Sequence, residues 1–156
     1  MNSWIALAAS LALASCQAHP TRSEVEAADR GPMPDAATAE AAARWVLSNV
    51  LRDGENSRIE CEPPPRAGYR RDGSGWAYCW ILEAEVTDFG AGLHGKRNLV
   101  YEFYFRHDRI EAFTSDYHED EAPTLVQLVI GAPPLEHFRR GETPEWRTLK
   151  DVLDEF

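Results

Sequence analysis

The spacing of apolar and polar positions predicts a long helix early in the chain. Across residues 35–53 the apolar side chains recur at helical intervals. Asp35 can accept hydrogen bonds from the free amides of a first helical turn, and Gly54 is a common helix terminator. We therefore expect an amphipathic helix over these residues, with an apolar face formed by Ala39, Ala42, Trp45, Val46 and Val50.

Strands are predicted after this helix. In residues 76–87 and 97–107 apolar and polar side chains alternate with a period of two, which is typical of a half-buried strand. A tight turn at His107-Asp108 is expected to reverse the chain into a third strand over residues 109–114. Pro63-Pro64-Pro65 instead predicts an extended polyproline connector between the helix and the sheet.

The C-terminal part is predicted to be helical again. Thr143-Pro144-Glu145 is a start signal for a terminal helix, since proline is tolerated at the first helical position. Residues 133–140 form at most a short helix, and residues 123–130 are apolar but ambiguous. The order predicts an α+β domain in which an N-terminal helix packs on an antiparallel sheet of about three to four strands, followed by C-terminal helices. This order resembles a cystatin-like or nuclear-transport-factor-like roll, a resemblance of pattern that assigns no function.

The N-terminus has the features of an export signal. Residues 4–14 are apolar apart from Ser10, which is too short for the roughly 30 Å hydrocarbon core that about 20 helical residues cross. The length is that of the apolar part of a signal peptide, although Met1-Asn2-Ser3 lacks the usual Lys or Arg. The residues that follow resemble the lipobox of bacterial lipoproteins: Leu13-Ala14-Ser15-Cys16.

This resemblance implies cleavage before Cys16 and acylation of its sulfur and its new amine. It also implies a lipid-anchored protein of the cell envelope, and Gln17 after the cysteine favours the outer membrane, facing the periplasm. The organisation expected is a signal peptide over residues 1–15, the lipidated cysteine and a flexible polar tether over 16–34, and a single domain over 35–156. The alternative is a hydrophobic N-terminal helix that is never cleaved.

The net charge limits the classes of molecule that the chain is expected to bind. Sixteen basic and 26 acidic side chains give a net charge of −10, which argues against nucleic acid and against binding to anionic lipid through a basic patch. The charge suits a basic protein partner, or serves solubility alone.

If Cys16 carries lipid, Cys61 and Cys79 remain, and an even pair in an oxidising compartment predicts one structural disulfide. Two free thiols and a redox pair are the alternatives.

No catalytic or metal-binding pattern is found. The acidic tract over residues 116–121 lacks the EF-hand frame and is typical of a solvated loop. Glu83 and Glu85 share one face of their predicted strand and could form an acid–base pair, but exposed carboxylates are far commoner. We therefore predict no catalytic residue, no metal site and no cofactor.

One aromatic residue suggests an interaction surface. Tyr104 falls on the polar face of its predicted strand, beside Glu102 and Arg106, and the three form a candidate interface. The leading hypothesis is a non-enzymatic accessory domain of the envelope, acting on an assembly component or as an inhibitor or immunity protein for a basic enzyme. The alternatives are a small-ligand-binding or enzymatic domain with a cavity between helix and sheet, and a structural envelope component.

Overall fold

A computed structural model describes residues 18–51, 56–73, 75–88, 97–116 and 126–156. These residues form four helices and five strands. The helices are α1 (Arg22–Ala27), α2 (Ala36–Val50), α3 (Leu135–Arg139) and α4 (Leu149–Leu153). The strands are β1 (Arg58–Asp72), β2 (Gly75–Asp88), β3 (Arg97–Arg106), β4 (Arg109–Asp116) and β5 (Val126–Leu128).

The strands form one antiparallel sheet in which each strand pairs with the next along the chain, in the order β1-β2-β3-β4-β5. The predicted turn at His107-Asp108 is confirmed. Both residues have positive φ, 48° and 60°, which is the backbone that matches a two-residue turn to the twist of its flanking strands.

The long helix α2 packs on one face of this sheet. Asp35 caps it by accepting a hydrogen bond from the amide of Thr38 at 2.9 Å, as the sequence predicted. The helix ends at Val50, three residues before the predicted end. Its buried side chains join a single core with those of β2, β3 and β4, which include Leu82, Val86, Phe103, Phe105 and Ile110.

The predicted fold class is wrong, because the described chain is mostly sheet and has few helices, three of them six residues or shorter. β1 occupies the segment expected to be a polyproline connector, and β5 adds a further strand. The prolines are tolerated because β1 is an edge strand whose ladder is interrupted between Glu62 and Arg66, where missing amide donors cost no hydrogen bond.

The terminal helix is also shorter than predicted. Residues 142–148 are not helical, and α4 begins after Thr148, which exchanges hydrogen bonds with Asp151 in a capping box. Trp146 lies before the helix and packs against Trp45 of α2, with ring centroids 4.9 Å apart and the rings tilted by 54°. The short helix predicted within residues 133–140 is confirmed as α3.

The segment predicted to be a flexible tether is instead packed on the domain from residue 18 onward. The indole nitrogen of Trp76 donates a hydrogen bond to the carbonyl of Ala18 at 3.1 Å. The ring of His19 lies against Trp76 and Tyr69, at centroid distances of 5.0 and 6.3 Å. Helix α1 follows, with a capping box between Thr21 and Glu24.

The end of this segment is held by Trp80 and by the β3–β4 turn. Trp80 donates to the carbonyl of Gly31 at 3.1 Å, and the guanidinium of Arg30 lies 4.8 Å from the Trp80 ring centroid. The amide of His107 donates to the carbonyl of Arg30. Gly31 is required here because its φ is +73° and an added Cβ would lie 2.9 Å from the Cα of His107. These contacts are long-range, so polar composition alone could not show them.

The predicted disulfide between Cys61 and Cys79 is absent, and both cysteines are free. Cys61 lies opposite Ala84, five residues along β2 from Cys79. Five strand residues span about 17 Å, whereas bridged cysteines have Cα atoms within about 7 Å of each other. The odd offset also places the two thiols on opposite faces of the sheet. An even cysteine count could not show this separation.

We predict that a C16S variant, unfolded without reductant, has two titratable thiols. In the folded variant both should react slowly near pH 8, since burial raises the pKa of Cys61 to about 11 and that of Cys79 to about 12. The unfolded chain ionises its thiols first, so the free energy of unfolding should fall as the pH rises from about 9 through these values. A chain without titratable thiols would contradict the register given above.

Candidate functional site

Five glutamates lie together on the outer face of strands β1, β2 and β3, and we call this set the glutamate face: Glu60, Glu62, Glu83, Glu85 and Glu102. Glu60 lies directly opposite Glu85, and Glu83 lies directly opposite both Glu62 and Glu102. Residues directly opposite in an antiparallel pair project to the same side, with Cβ atoms about 5 Å apart. The register therefore brings together carboxylates that are far apart along the chain.

Two arginines compensate part of this charge. Arg66 lies 3.1 Å from the carboxylate of Glu102 and 3.9 Å from that of Glu83, and Arg58 lies 2.5 Å from that of Glu60. Among the described residues, Glu62 and Glu85 have no ion-pair partner. Five carboxylates and two guanidinium groups leave an excess of three negative charges on an exposed part of the sheet.

The other half of this outer face contains buried side chains. Cys79, Ile81, Tyr104 and Ala112 form a second, smaller buried cluster there. Beside it, Glu111 bridges two arginines: its carboxylate accepts from Arg106 at 2.9 Å and from Arg70 at 3.4 Å. The Arg70 side chain is only 5% exposed. Within the described part of the sheet, the end that carries the glutamates is therefore the more exposed one, since Glu60, Glu62 and Glu85 are all exposed there.

Of the predicted interface formed by Tyr104, Glu102 and Arg106, Tyr104 does not lie on the surface. Tyr104 is 4% exposed, and its hydroxyl donates a hydrogen bond to Glu102 at 2.7 Å and lies 3.3 Å from the hydroxyl of Thr114. Burial raises the pKa of this hydroxyl. Of the three residues, Glu102 belongs to the glutamate face, while Arg106 is occupied by Glu111.

The sequence contained a signal against that interface. Cys79 and Ile81 are apolar residues at the same parity of β2 as Glu83 and Glu85, so one end of the outer face had to be buried. What the sequence did not show was the register that places Tyr104 at this end.

A cleft of about 420 Å³ lies between α2, the start of β1 and the chain that follows α3. Its floor is apolar and includes Trp45, Ile59 and Phe138, and its rim carries Arg44 and Glu142. The Trp45 ring lies against Phe138, and its nitrogen donates to the carbonyl of Pro144 at 2.8 Å. These contacts hold the far wall of the cleft in place.

The cleft is suited to a ligand with an apolar body and a charged end. Arg44 is also bound by Glu40 at 2.7 Å, and Glu142 contacts the imidazole of His137. A ligand carboxylate or amine would therefore have to compete with an existing ion pair at the rim, which lowers the gain from binding there.

Within the described ranges, no group of three or more His, Cys, Asp or Glu side chains is arranged to hold a metal ion. No helix in the described part of the chain is long and apolar enough to cross a membrane.

Several of the sequence predictions fall on residues outside the described ranges: the signal-peptide segment with Cys16, the helix terminator Gly54, residues 117–121 of the acidic tract, and residues 123–125 of the apolar segment. No protein-family profile, curated protein or solved structure matches the chain.

We predict that Glu85→Gln raises the free energy of unfolding by a few tenths of a kcal/mol at low salt, because it removes repulsion from Glu60 and breaks no ion pair. Glu83→Gln should give less or none, because it also removes the attraction of Arg66. Thermal unfolding at low and high salt measures both variants. Equal stability of wild type and Glu85→Gln at low salt would contradict repulsion across this pair.

Proposed function

We propose that this chain is a lipid-anchored protein of the bacterial cell envelope whose folded domain binds a basic protein partner. The observation that carries the binding role is the glutamate face, with its excess of three negative charges at the open end of the sheet. The role is non-enzymatic, and the partner binds through lysine and arginine side chains.

The anchor rests on the tetrapeptide that ends at Cys16. Acylation of both the sulfur and the amine of this residue would attach several chains, and each buried methylene contributes about 0.8 kcal/mol. One acyl chain holds a protein on a membrane only marginally, whereas several acyl chains hold the protein there stably. Gln17 favours the outer membrane, with the domain in the periplasm.

The binding role follows from the electrostatics of the sheet. Like charges directly opposite each other destabilise a strand pair, and Glu60–Glu85 and Glu62–Glu83 are both such pairs. A cationic surface placed on them relieves this repulsion and forms new ion pairs, so the bound state gains on both counts. Opposite charge also accelerates encounter. An inhibitor or immunity protein for a basic hydrolase has this chemistry, as does a subunit that docks on a basic assembly component.

A second candidate function is favoured by the cleft against α2. A volume of about 420 Å³ with an apolar floor is within the range of small-ligand sites. In that case the domain binds or processes a small molecule between the helix and the sheet edge.

The anchor is tested by mass spectrometry of the protein from the membrane fraction. We expect a chain that begins at Cys16 and carries acyl groups. The C16S variant should lack lipid and appear in the soluble fraction of the envelope. A membrane-associated protein that still begins at Met1 would contradict the anchor.

The partner surface is tested by capturing the basic partner from a periplasmic extract and then measuring the affinity of the purified pair. Glu62→Gln with Glu85→Gln should weaken binding about threefold to tenfold at low salt, since two exposed ion pairs contribute a fraction of a kcal/mol each. High salt should reduce binding and remove this difference.

The matched control is Glu145→Gln with Glu155→Gln, which changes the net charge equally but lies at the C-terminal end of the chain. It should leave the affinity unchanged. Equal loss with both pairs would show an effect of net charge alone and overturn the glutamate face. If only Ser48→Trp, which fills the cleft, lowers the affinity, the partner binds at the cleft and not at the glutamate face.

A further inference from the structure

The first described residues are attached to the closed end of the β1–β2 hairpin. Asp72 pairs with Gly75 at this end, and Trp76, the next residue of β2, holds the carbonyl of Ala18 at 3.1 Å. Cys16 precedes Ala18 by two residues, and two residues span at most about 7 Å. A lipid on Cys16 therefore enters the bilayer close to this end of the hairpin.

The same end carries side chains suited to a lipid–water boundary, and we call them the hairpin-end cluster: His19, Tyr69, Arg71 and Trp76. The Trp76 ring lies 5.1 Å from that of Tyr69 and 5.0 Å from that of His19, and the Arg71 guanidinium lies 4.0 Å from the Trp76 ring centroid. All four side chains are exposed or half-exposed. Tryptophan and tyrosine concentrate at membrane surfaces because one part of the ring is apolar and another is polar.

We infer that the hairpin-end cluster rests in the phospholipid headgroup layer and fixes the orientation of the domain on the membrane. This inference rests on the proposed anchor at Cys16. An anchor alone leaves the domain free to rotate, whereas a second contact next to it forms at a high effective concentration because the link is short.

The contact is aromatic more than electrostatic. Arg71 is the one exposed cation of the cluster and has Asp72 next to it, while the neighbouring Arg70 is buried and paired with Glu111. A guanidinium stacked over a tryptophan can still donate hydrogen bonds to lipid phosphate, because its N–H groups point outward in the guanidinium plane. The acidic net charge of the chain is therefore compatible with this surface.

The test uses the full lipidated chain in vesicles of phosphatidylethanolamine and phosphatidylglycerol that contain nitroxide-labelled lipid. We expect quenching of tryptophan emission, stronger with the label near the headgroups than with the label deep in the acyl chains. Trp76→Phe should remove most of this quenching. Trp146→Phe, the matched control at the α2 side of the core, should leave it unchanged. Undiminished quenching in Trp76→Phe, or stronger quenching by the deep label, would overturn the inference.

A second variant keeps every tryptophan in place. Arg71→Glu should lower the quenching at least twofold, because a carboxylate is repelled by lipid phosphate, and unchanged quenching would overturn the contact. Circular dichroism establishes that each variant is folded, and if Trp76→Phe does not fold, Arg71→Glu decides. Mass spectrometry of the same sample separates the two proposals. A chain without lipid overturns both anchor and orientation, whereas a lipidated chain without Trp76 quenching overturns the orientation only.

Discussion

The register of the long β1–β2 hairpin determines most of what is specific to this protein. It runs from the Asp72–Gly75 pair to the Arg58–Thr87 pair, with one interruption at the prolines. The pairing places glutamate opposite glutamate, separates the two cysteines by several residue positions, and puts Trp76 where it can bind the N-terminal segment. A shift of β1 by one residue against β2 would move Glu60, Cys61 and Glu62 to the other face and break up the glutamate pairs.

The two faces of the sheet have different roles. The inner face is a continuous apolar core with α2, and it supplies the stability of the fold. The outer face is divided into a small buried cluster near Tyr104 and the open glutamate face. Opposed carboxylates on that open end reduce stability, and the large inner core is what allows the sheet to keep them. The geometry of the glutamate face therefore depends on a core on the opposite side of the sheet.

Local patterns predicted the elements whose signals are local. Alternation located β2 and β3, the turn at His107-Asp108 located β4, and the cap at Asp35 located the start of α2, because these features depend on near neighbours. The strand through Pro63-Pro64-Pro65 was missed because tolerance of proline depends on being at the edge of a sheet, which is a property of the whole fold.

Only part of the candidate site could be predicted from the sequence, because the rest depends on how the strands pair. Glu83 and Glu85 could be placed on one face of a strand from the sequence, but their neighbours on β1 and β3 follow from register. Tyr104 was wrongly expected to be exposed, because alternation along a strand shows on which face of the sheet a side chain lies but not what covers that face. Residues 18–34 are held on the domain by hydrogen bonds from Trp76 and Trp80, which lie about fifty residues further along the chain.

The length of the hairpin determines how far the glutamates lie from the membrane in the proposed orientation. Glu85 lies nine residues beyond Trp76 on β2, a distance of about 30 Å at the rise of a strand. With the hairpin end on the bilayer and the strands directed away from it, the glutamates stand several Debye lengths above the lipid phosphates, since that length is about 8 Å at physiological salt. In the orientation and function proposed above, a basic partner would meet a negative field distinct from that of the membrane, with the hairpin as the spacer between the two.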